Sequence, residues 1–579
     1  MQPRLARLFL LLCLLAGSLH ASVKAQDINV QDFGAVPGKP DVSQAVQAAI
    51  AQLHRQGGGT LRFPAGEYHF KLPGAQADFA RLMRGELHYD TKWGKPGIAY
   101  HKAMSFVGLS KVEIIGEDAR LVFHGLVQPM EFVDSQQVRV QGLSIDWQRP
   151  AFSVGTVVAS RADGFDLQVD NDFPLQGGEP VWALMDFDVQ RNRLGLVDDW
   201  RLSAPLQLLA PQLVRISGSK AVPVGNRVIL RHVGNYRPAI HLLRTSQVRF
   251  EDVQILAAPG MGIIGHQCAD IVMQNLQVKP KGGRLMSTNT DATHFISCTG
   301  EIRIQDSYFE GMGDDATNVH GFYLSIQKSV STHSVRAYLS VNTQDLLPDW
   351  PQPGDEMEWV RGDTLKPYAR NTLTGIELND DGSADLHFAQ PIDSAVLPTD
   401  LLANASKVAR LVFKNNQVKR IRARGILFQS RGALIENNEF VDNTGTGILI
   451  DTATGWMESI GTRDVVIRNN TLVGNGYGDG TYMDASGIAV LTESSAMAPG
   501  VHNGLLIENN RIQGVGKTGV YICCSRDVTL KDNQIAGNEV SLRLEYSDKV
   551  QLDGHFPGWI KGRGNQHIQL SEPVSATPR

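Results

Sequence analysis

The sequence predicts an all-β chain: a right-handed parallel β-helix with an N-terminal helical cap and two inserted antiparallel, barrel-like β modules. Three observations predict it. A short apolar strand ending in an Asn pair recurs, as in Leu434-Ile435-Glu436-Asn437-Asn438, with relatives at 412–416, 466–470 and 506–510. The first Asn falls at 415, 437, 469 and 509, giving spacings of 22, 32 and 40, a base period near one coil with occasional loop insertions. A second strand family, Gly425-Ile426-Leu427-Phe428-Gln429 and its equivalents at 447–451, 487–491 and 519–523, precedes these, and Gly262-Ile263-Ile264-Gly265-His266 extends it backwards. Finally, 57 glycines with heavy Asn usage suit turn-rich β structure rather than a helical bundle.

Taken in order, residues 1–25 read as a secretory leader. Arg4 and Arg7 precede a nine-residue apolar run from Leu8 to Ala16, and Val23-Lys24-Ala25 fits a small-residue cleavage site. The run is too short to span a bilayer. The expectation is an exported protein, periplasmic or secreted, with no membrane span. Residues 26–150 read as the cap and first coils. Ser43 is placed to N-cap a helix whose apolar face is Ala45, Val46, Ala49, Ile50 and Leu53, ended by Gly57-Gly58-Gly59. Such a helix covers the open end of a solenoid. Residues 151–231 and 326–404 lack the coil signature and carry alternating strands with turn signals, so both read as inserted antiparallel modules. Residues 232–325 and 405–579 read as the middle and C-terminal coils, the last with a tail.

The chain beyond the leader, about 550 residues, is long for one ordinary core and suits a solenoid. Its net charge of −5, with scattered Lys and Arg and no basic stripe, argues against a nucleic-acid partner. Cys268, Cys298, Cys523 and Cys524 are too few for a disulfide scaffold and show no Cys-x-x-Cys zinc spacing. Cys268 and Cys298 occupy similar coil positions one repeat apart, and both a disulfide and a reduced stacked pair are open. The vicinal pair Cys523-Cys524 lacks an oriented base for thiol catalysis. Inserted β modules commonly make subunit contacts, which leaves a homodimer open.

The chemistry-bearing stretch is Asn289-Thr290-Asp291 followed by Gly313-Asp314-Asp315. Asp291 and Asp314 are 23 residues apart, about one coil, which sets the three carboxylates on one face of neighbouring rungs. A single Asp at a coil corner is ordinarily structural. Three stacked within a rung are different, because like charges raise one another's proton affinity and cost energy unless something uses them. Paired carboxylates on an exposed face suit acid/base hydrolysis of a glycosidic bond. His294 and His320 flank the trio, as turn donors or as partners for sugar hydroxyls. Asp451, Trp456, Glu458 and Glu493 sit at the ends of later strands. A sugar pocket uses an aromatic platform and carboxylate acceptors, and Trp456 is the platform candidate. Asp186 and Asp188 read as solvated, and no basic cluster is visible around the trio.

The entry Asp32-Phe33-Gly34-Ala35, amphipathic helix, Gly-Gly-Gly, Phe63-Pro64-Ala65-Gly66 resembles that of many pectin-lyase-like β-helix proteins. Asn-Thr-Asp followed one coil later by Gly-Asp-Asp is similar to the polygalacturonase pattern, but His320-Gly321 comes too soon after Asp315 for that family, and an Arg-Ile-Lys partner is missing. The fuller context, 289–295 with 311–321, resembles glycoside hydrolase family 110, and the resemblance covers the whole chain beyond the leader. It implies an exo-acting α-1,3-galactosidase that inverts the anomeric centre, needs no metal or other cofactor, and removes terminal α-galactose from blood-group-B-type or linear glycans. Carried over, the pattern makes Asp314 the general acid, with Asp291 and Asp315 holding and deprotonating the water. Competing readings are a polygalacturonase-like hydrolase of acidic polysaccharide, a β-helix polysaccharide lyase, and a non-catalytic glycan-binding adhesin.

Overall fold

The computed structural model describes residues 27–87, 100–195, 199–202, 205–339, 349–392, 396–478, 485–514 and 516–571. The leader expected over residues 1–25 lies outside the described residues. The chain coils as a parallel β-helix. One inward column runs through it in register, from Leu61 to Ile114, Val140, Phe250, Met273, Ile304, Phe413, Ile435, Ile467, Ile507 and Leu530. The steps from Val140 to Phe250 and from Ile304 to Phe413 pass directly across both insertions. All these side chains are buried in a single apolar core that continues to Trp559. Alternation sends every second side chain inward, so stacked coils bury a continuous stripe that no coil could bury alone.

The Asn pairs divide two tasks. The first of each pair, Asn415, Asn437, Asn469 and Asn509, adopts a left-handed backbone at the coil corner, with φ between 53° and 57°, a conformation Asn tolerates. The second is buried and forms a ladder. Asn470 Oδ1 accepts from the Asn438 backbone N–H at 2.9 Å, while Asn470 Nδ2 donates to the Ile435 carbonyl at 2.9 Å and to Asn510 Oδ1 at 3.0 Å. Asn416, Asn510 and Asn533 repeat the arrangement. The ladder satisfies backbone groups that the corners would otherwise leave buried and unpaired.

The cap helix Ser43–Arg55 buries Val46, Ala49, Ile50 and Leu53 against the first coil. Ser43 is its first residue rather than its cap: Asp41 Oδ1 accepts from the Ser43 N–H at 2.9 Å and from its hydroxyl at 2.6 Å. The carboxylate reaches the orphan amide and leaves the hydroxyl free to accept from the Lys71 N–H. Among the described residues, no helix is long and apolar enough to cross a membrane.

Both stretches without coil signature are antiparallel. The first is a seven-stranded sheet with its own core around Phe152, Phe165, Val214 and Leu230. Asp186 was read as solvated, but its strand, Ala183–Asp188, pairs with Arg227–Arg231 inside this sheet and leaves Asp186 only 5% exposed. The second grows out of the ladder itself. The strand Thr317–Ser331 pairs in parallel with coil strands through His320 and then in antiparallel with Ser334–Leu339. Cys268 and Cys298 are buried free thiols with no disulfide between them.

The ladder makes a contrast that mutation can read. Asn470→Ala strands several buried polar groups, each worth about 1–3 kcal/mol, and is expected to lower stability by several times the cost of Asn469→Ala. The latter forces a left-handed alanine, at about 1–2 kcal/mol, and Asn469→Gly should be near neutral. Urea denaturation of the three variants checks the ranking.

Candidate active site

Six stacked strands carry the site: β1 Ile263–His266, β2 Thr293–Ile296, β3 Thr317–Ser331, β4 Ile426–Gln429, β5 Ile448–Ile450 and β6 Ser486–Val490. His294 of β2 pairs with Asn318 of β3, Leu427 of β4 and Leu449 of β5 in turn. The same register three residues earlier puts Asp291, Asp315 and Arg424 in one column at the coil corner. Backbone bonds fix it: the Ala292 N–H donates to the Asp315 carbonyl at 2.9 Å, and the Ala316 N–H to the Arg424 carbonyl at 3.2 Å. Asp291 thus lies beneath Asp315, with Asp314 one residue aside.

The three carboxylates converge, with one oxygen from each within 4.8 Å of the others. They differ in surroundings. The Asp315 side chain is 1% exposed and both its oxygens accept from Arg424, Oδ1 from the backbone N–H at 2.8 Å and Oδ2 from Nη2 at 2.7 Å. Burial pushes the Asp315 carboxyl up, with Arg424 opposing it. Against its own burial, Asp315 and then Asp314 hold the Arg424 guanidinium firmly charged. Asp314 is the open member at 30% exposure, with Oδ1 3.2 Å from Arg422 Nη1 and 4.0 Å from Arg424 Nη2. Asp291 is 6% exposed and its Oδ2 lies 2.6 Å from His294 Nδ1. Burial first and the Asp314 charge second raise the Asp291 carboxyl well above the ordinary range. The spacing of the trio would admit a cation, but two guanidiniums already face its charge.

The arginines are the feature that sequence reading missed. It found no basic cluster at the trio, yet Arg201, Arg231, Arg422 and Arg424 all line the cavity. Arg422 and Arg424 follow from a signal that was available: Arg420-Ile421-Arg422-Ala423-Arg424 immediately precedes β4, in register with Gly313-Asp314-Asp315. Arg201 and Arg231, with Asp199 and Trp182, come from the first inserted module, where no periodicity assigns a register. Buried Arg231 pairs with Asp199 at 3.1 Å, and Arg201 stacks its guanidinium 3.3 Å from the Trp182 ring centroid.

The structure brings Asp291, Asp314, Asp315, His294, Asp451, Trp456, Glu458 and Glu493 around one cavity of about 160 Å³. At ~30 Å³ per water that is roughly five waters' worth of space, room for one sugar ring rather than a chain. Trp456 is 44% exposed at its mouth. Burial raises Asp451 and Glu493, with Glu493 adding to the rise of Asp451. His320 does not join the lining. It is buried behind Asp291, with Nε2 on His294 and Nδ1 on the Gly321 carbonyl, so it has no nitrogen to offer a sugar. Asp188 stays outside the site, binding the backbone of Gln190 and Arg191.

Comparison with known proteins finds relatives of the chain. A family model described as a right-handed beta helix region matches residues 401–499. An alpha-1,3-galactosidase B of Akkermansia muciniphila is 28% identical over 542 residues, covering 89% of this chain and 67% of that one. An alpha-1,3-galactosidase A of Shewanella woodyi is 27% identical over 536 residues, covering 88% and 85%. The chain is a homologue of the alpha-1,3-galactosidases. The homology supports a galactosidase function. Among solved structures, an exopolygalacturonase from Thermotoga maritima matches at 13% identity and a TM-score of 0.42, covering 94% of this chain and 92% of that one.

Removing the countercharge tests how the trio is held. Arg424→Gln leaves Asp315 buried without a cation, a change that typically costs about 3–5 kcal/mol. A carboxyl whose folded proton affinity is raised destabilises the fold as pH climbs through its folded pKa, and the cost is relieved once it is protonated. The stability deficit of Arg424→Gln against wild type should therefore be larger at mildly alkaline than at mildly acidic pH, as read by thermal melts.

Proposed function

We propose that this protein is an exo-acting, inverting α-1,3-galactosidase that removes terminal α-linked galactose from glycans of blood-group-B or linear type. The observation that carries the reading is a cavity of one-ring size, about 160 Å³, with three converging carboxylates in its lining, in a homologue of alpha-1,3-galactosidases. A cavity of that size suits the terminal sugar of a chain rather than its middle. The leader supports export to the periplasm or medium.

The roles follow from reach. A general acid must touch a bulky glycosidic oxygen, and Asp314 is the carboxylate open to the cavity. The attacking water is small and fits against buried Asp291, with Asp315 and Arg424 fixing the corner. Asp451, Glu458 and Glu493 offer acceptors for ring hydroxyls, with Trp456 as the platform at the mouth. Trp182 and Arg201 line the same cavity and offer an aglycone a ring face and a cation. A uronate substrate is disfavoured on charge: the lining holds seven carboxylates, Asp199, Asp291, Asp314, Asp315, Asp451, Glu458 and Glu493, against four guanidiniums.

Stereochemistry is decided by product. General acid and base of inverting enzymes stand about 6.5–9.5 Å apart and retaining pairs about 5–5.5 Å. The nearest oxygens of the trio lie within 4.8 Å, so the anomer released is the discriminating measurement. Proton NMR in the first minutes should show β-galactose ahead of mutarotation, while an initial α-anomer means retention and reverses the assignment.

Asp314→Asn keeps shape and removes the proton donor. General acid/base catalysis contributes about 10²–10⁴-fold, and kcat on a natural disaccharide should fall by at least that order. A nitrophenyl leaving group needs little protonation, so the loss on nitrophenyl galactoside should be much smaller. Asp291→Asn should lose similarly on both substrates. Selective rescue of Asp291→Asn instead would exchange the two roles.

A further inference from the structure

The contacts behind Asp291 require one more proton than their imidazoles supply. Asp291 Oδ2 meets His294 Nδ1 at 2.6 Å, His294 Nε2 meets His320 Nε2 at 2.8 Å, and His320 Nδ1 meets the Gly321 carbonyl at 2.8 Å. Three hydrogen bonds take three protons, and two neutral imidazoles bring two. The tautomers follow from the closed end. A carbonyl only accepts, so His320 Nδ1 carries hydrogen. Its Nε2 then accepts from His294 Nε2–H. That leaves a bare His294 Nδ1 against a carboxylate oxygen at 2.6 Å, where two lone pairs repel. The third proton sits between them.

The surroundings keep it there. Burial lowers the proton affinity of His320 and raises that of Asp291. The charged and titratable groups around the pair are Asp314, Asp315 and Arg424 at the corner above, Glu458 with Oε1 3.7 Å from His320 Nε2, and His266 on the coil below. His294 and His320 are both buried, with their rings edge to face at 4.9 Å between centroids, so neither turns freely.

We propose that His294 is the positioning residue of the catalytic base: locked by His320, it shares one proton with the inner oxygen of Asp291 and leaves the outer oxygen to take the proton of the attacking water. The proposal rests on the hydrolase reading of the trio. As the water oxygen bonds to the anomeric carbon and the bond to the aglycone oxygen breaks, Asp314 gives its proton to the leaving oxygen. The water's proton goes to Asp291 Oδ1, and the shared proton comes to rest on His294 Nδ1. The acid loses one proton and the base pair gains one, and exchange with solvent restores both.

The test is His294→Gln, whose amide can still donate to Asp291 but cannot hold an ionising proton. An adjacent cation lowers a carboxylate pKa by about 1–3 units. Without it, Asp291 holds its own proton more tightly, so the acidic limb of kcat/KM against pH on nitrophenyl galactoside should move to higher pH by about one unit or more. A uniform loss of rate with the limb in place would mean that His294 only packs, and would overturn the proposal. The second measurement is made on resting wild-type enzyme, so it does not depend on the variant folding. A far-downfield proton resonance should be present, persist in Asp314→Asn, and vanish in His294→Gln and Asp291→Asn. Its absence from wild type overturns the shared proton. If wild type releases no galactose, the proposed function fails, while the resonance still judges the proton.

Discussion

Register is the constraint on which this molecule depends. In a parallel solenoid each rung pairs with the rung before it, so an excursion of any length has to return the chain to the same phase. Strand Thr299–Gln305 pairs directly with Arg410–Lys414, with the whole second module between them. Because that return is in phase, Arg424 arrives above Asp315 across a separation of 109 residues and meets both its oxygens. A slip of one residue would turn every side chain of the rung to the other face, with Arg424 facing the core and Asp315 buried without a cation. The apolar column and the charged column are therefore one specification. Phe413 docking on Ile304 is what delivers the guanidinium.

The coils were legible because stacking imposes a period. The Asn pairs, the Gly-led strands and the two aspartate motifs all recur at about one coil, and each landed in the ladder. What the sequence could not separate was the duty within a pair: both residues are Asn, and only the three-dimensional corner makes one bend and the other bond. Elements outside the period were harder to read. Asp186 looked like a surface carboxylate because nothing local shows which face of a module strand is inward. Trp182, Asp199, Arg201 and Arg231 approach the cavity only through the module's docking, which no spacing encodes. Arg422 and Arg424 were within reach, since they stand in phase with the aspartates, but the insertion hid the phase. His320 was found as a neighbour of the trio, yet its role changed, since both its nitrogens are taken up behind Asp291.

The site is thus built by two different means. Its floor is a product of repetition: successive corners present Asp291, Asp315 and Arg424, and the strands beside them present His294 and Asn318. Its rim comes from insertions, with Trp182 and Arg201 from the first module and Trp456 from a loop between coil strands. Floor positions are fixed by hydrogen bonds on both neighbouring rungs. Trp182 and Arg201 belong to the first module, while the Trp456 loop is tied back to the coils by the bridges of Ala453 to Glu458 and Glu493.

The long strand Thr317–Ser331 makes the second module a different kind of addition from the first. Its first residues are a rung beside the site, carrying Asn318 and His320, and its later residues are a strand of the module, buried around Leu324 and Ile326. No turn separates the two halves, and the break expected at 325/326 falls inside one unbroken element. The module is consequently not a cassette that could be exchanged between relatives by cutting at a loop. Any recombination that replaces it has to cut within a β-strand or carry the rung along. Lineages that remodel this part of the molecule are accordingly free to alter the far loops of the module, while its root travels with the coil that carries Asn318 and His320.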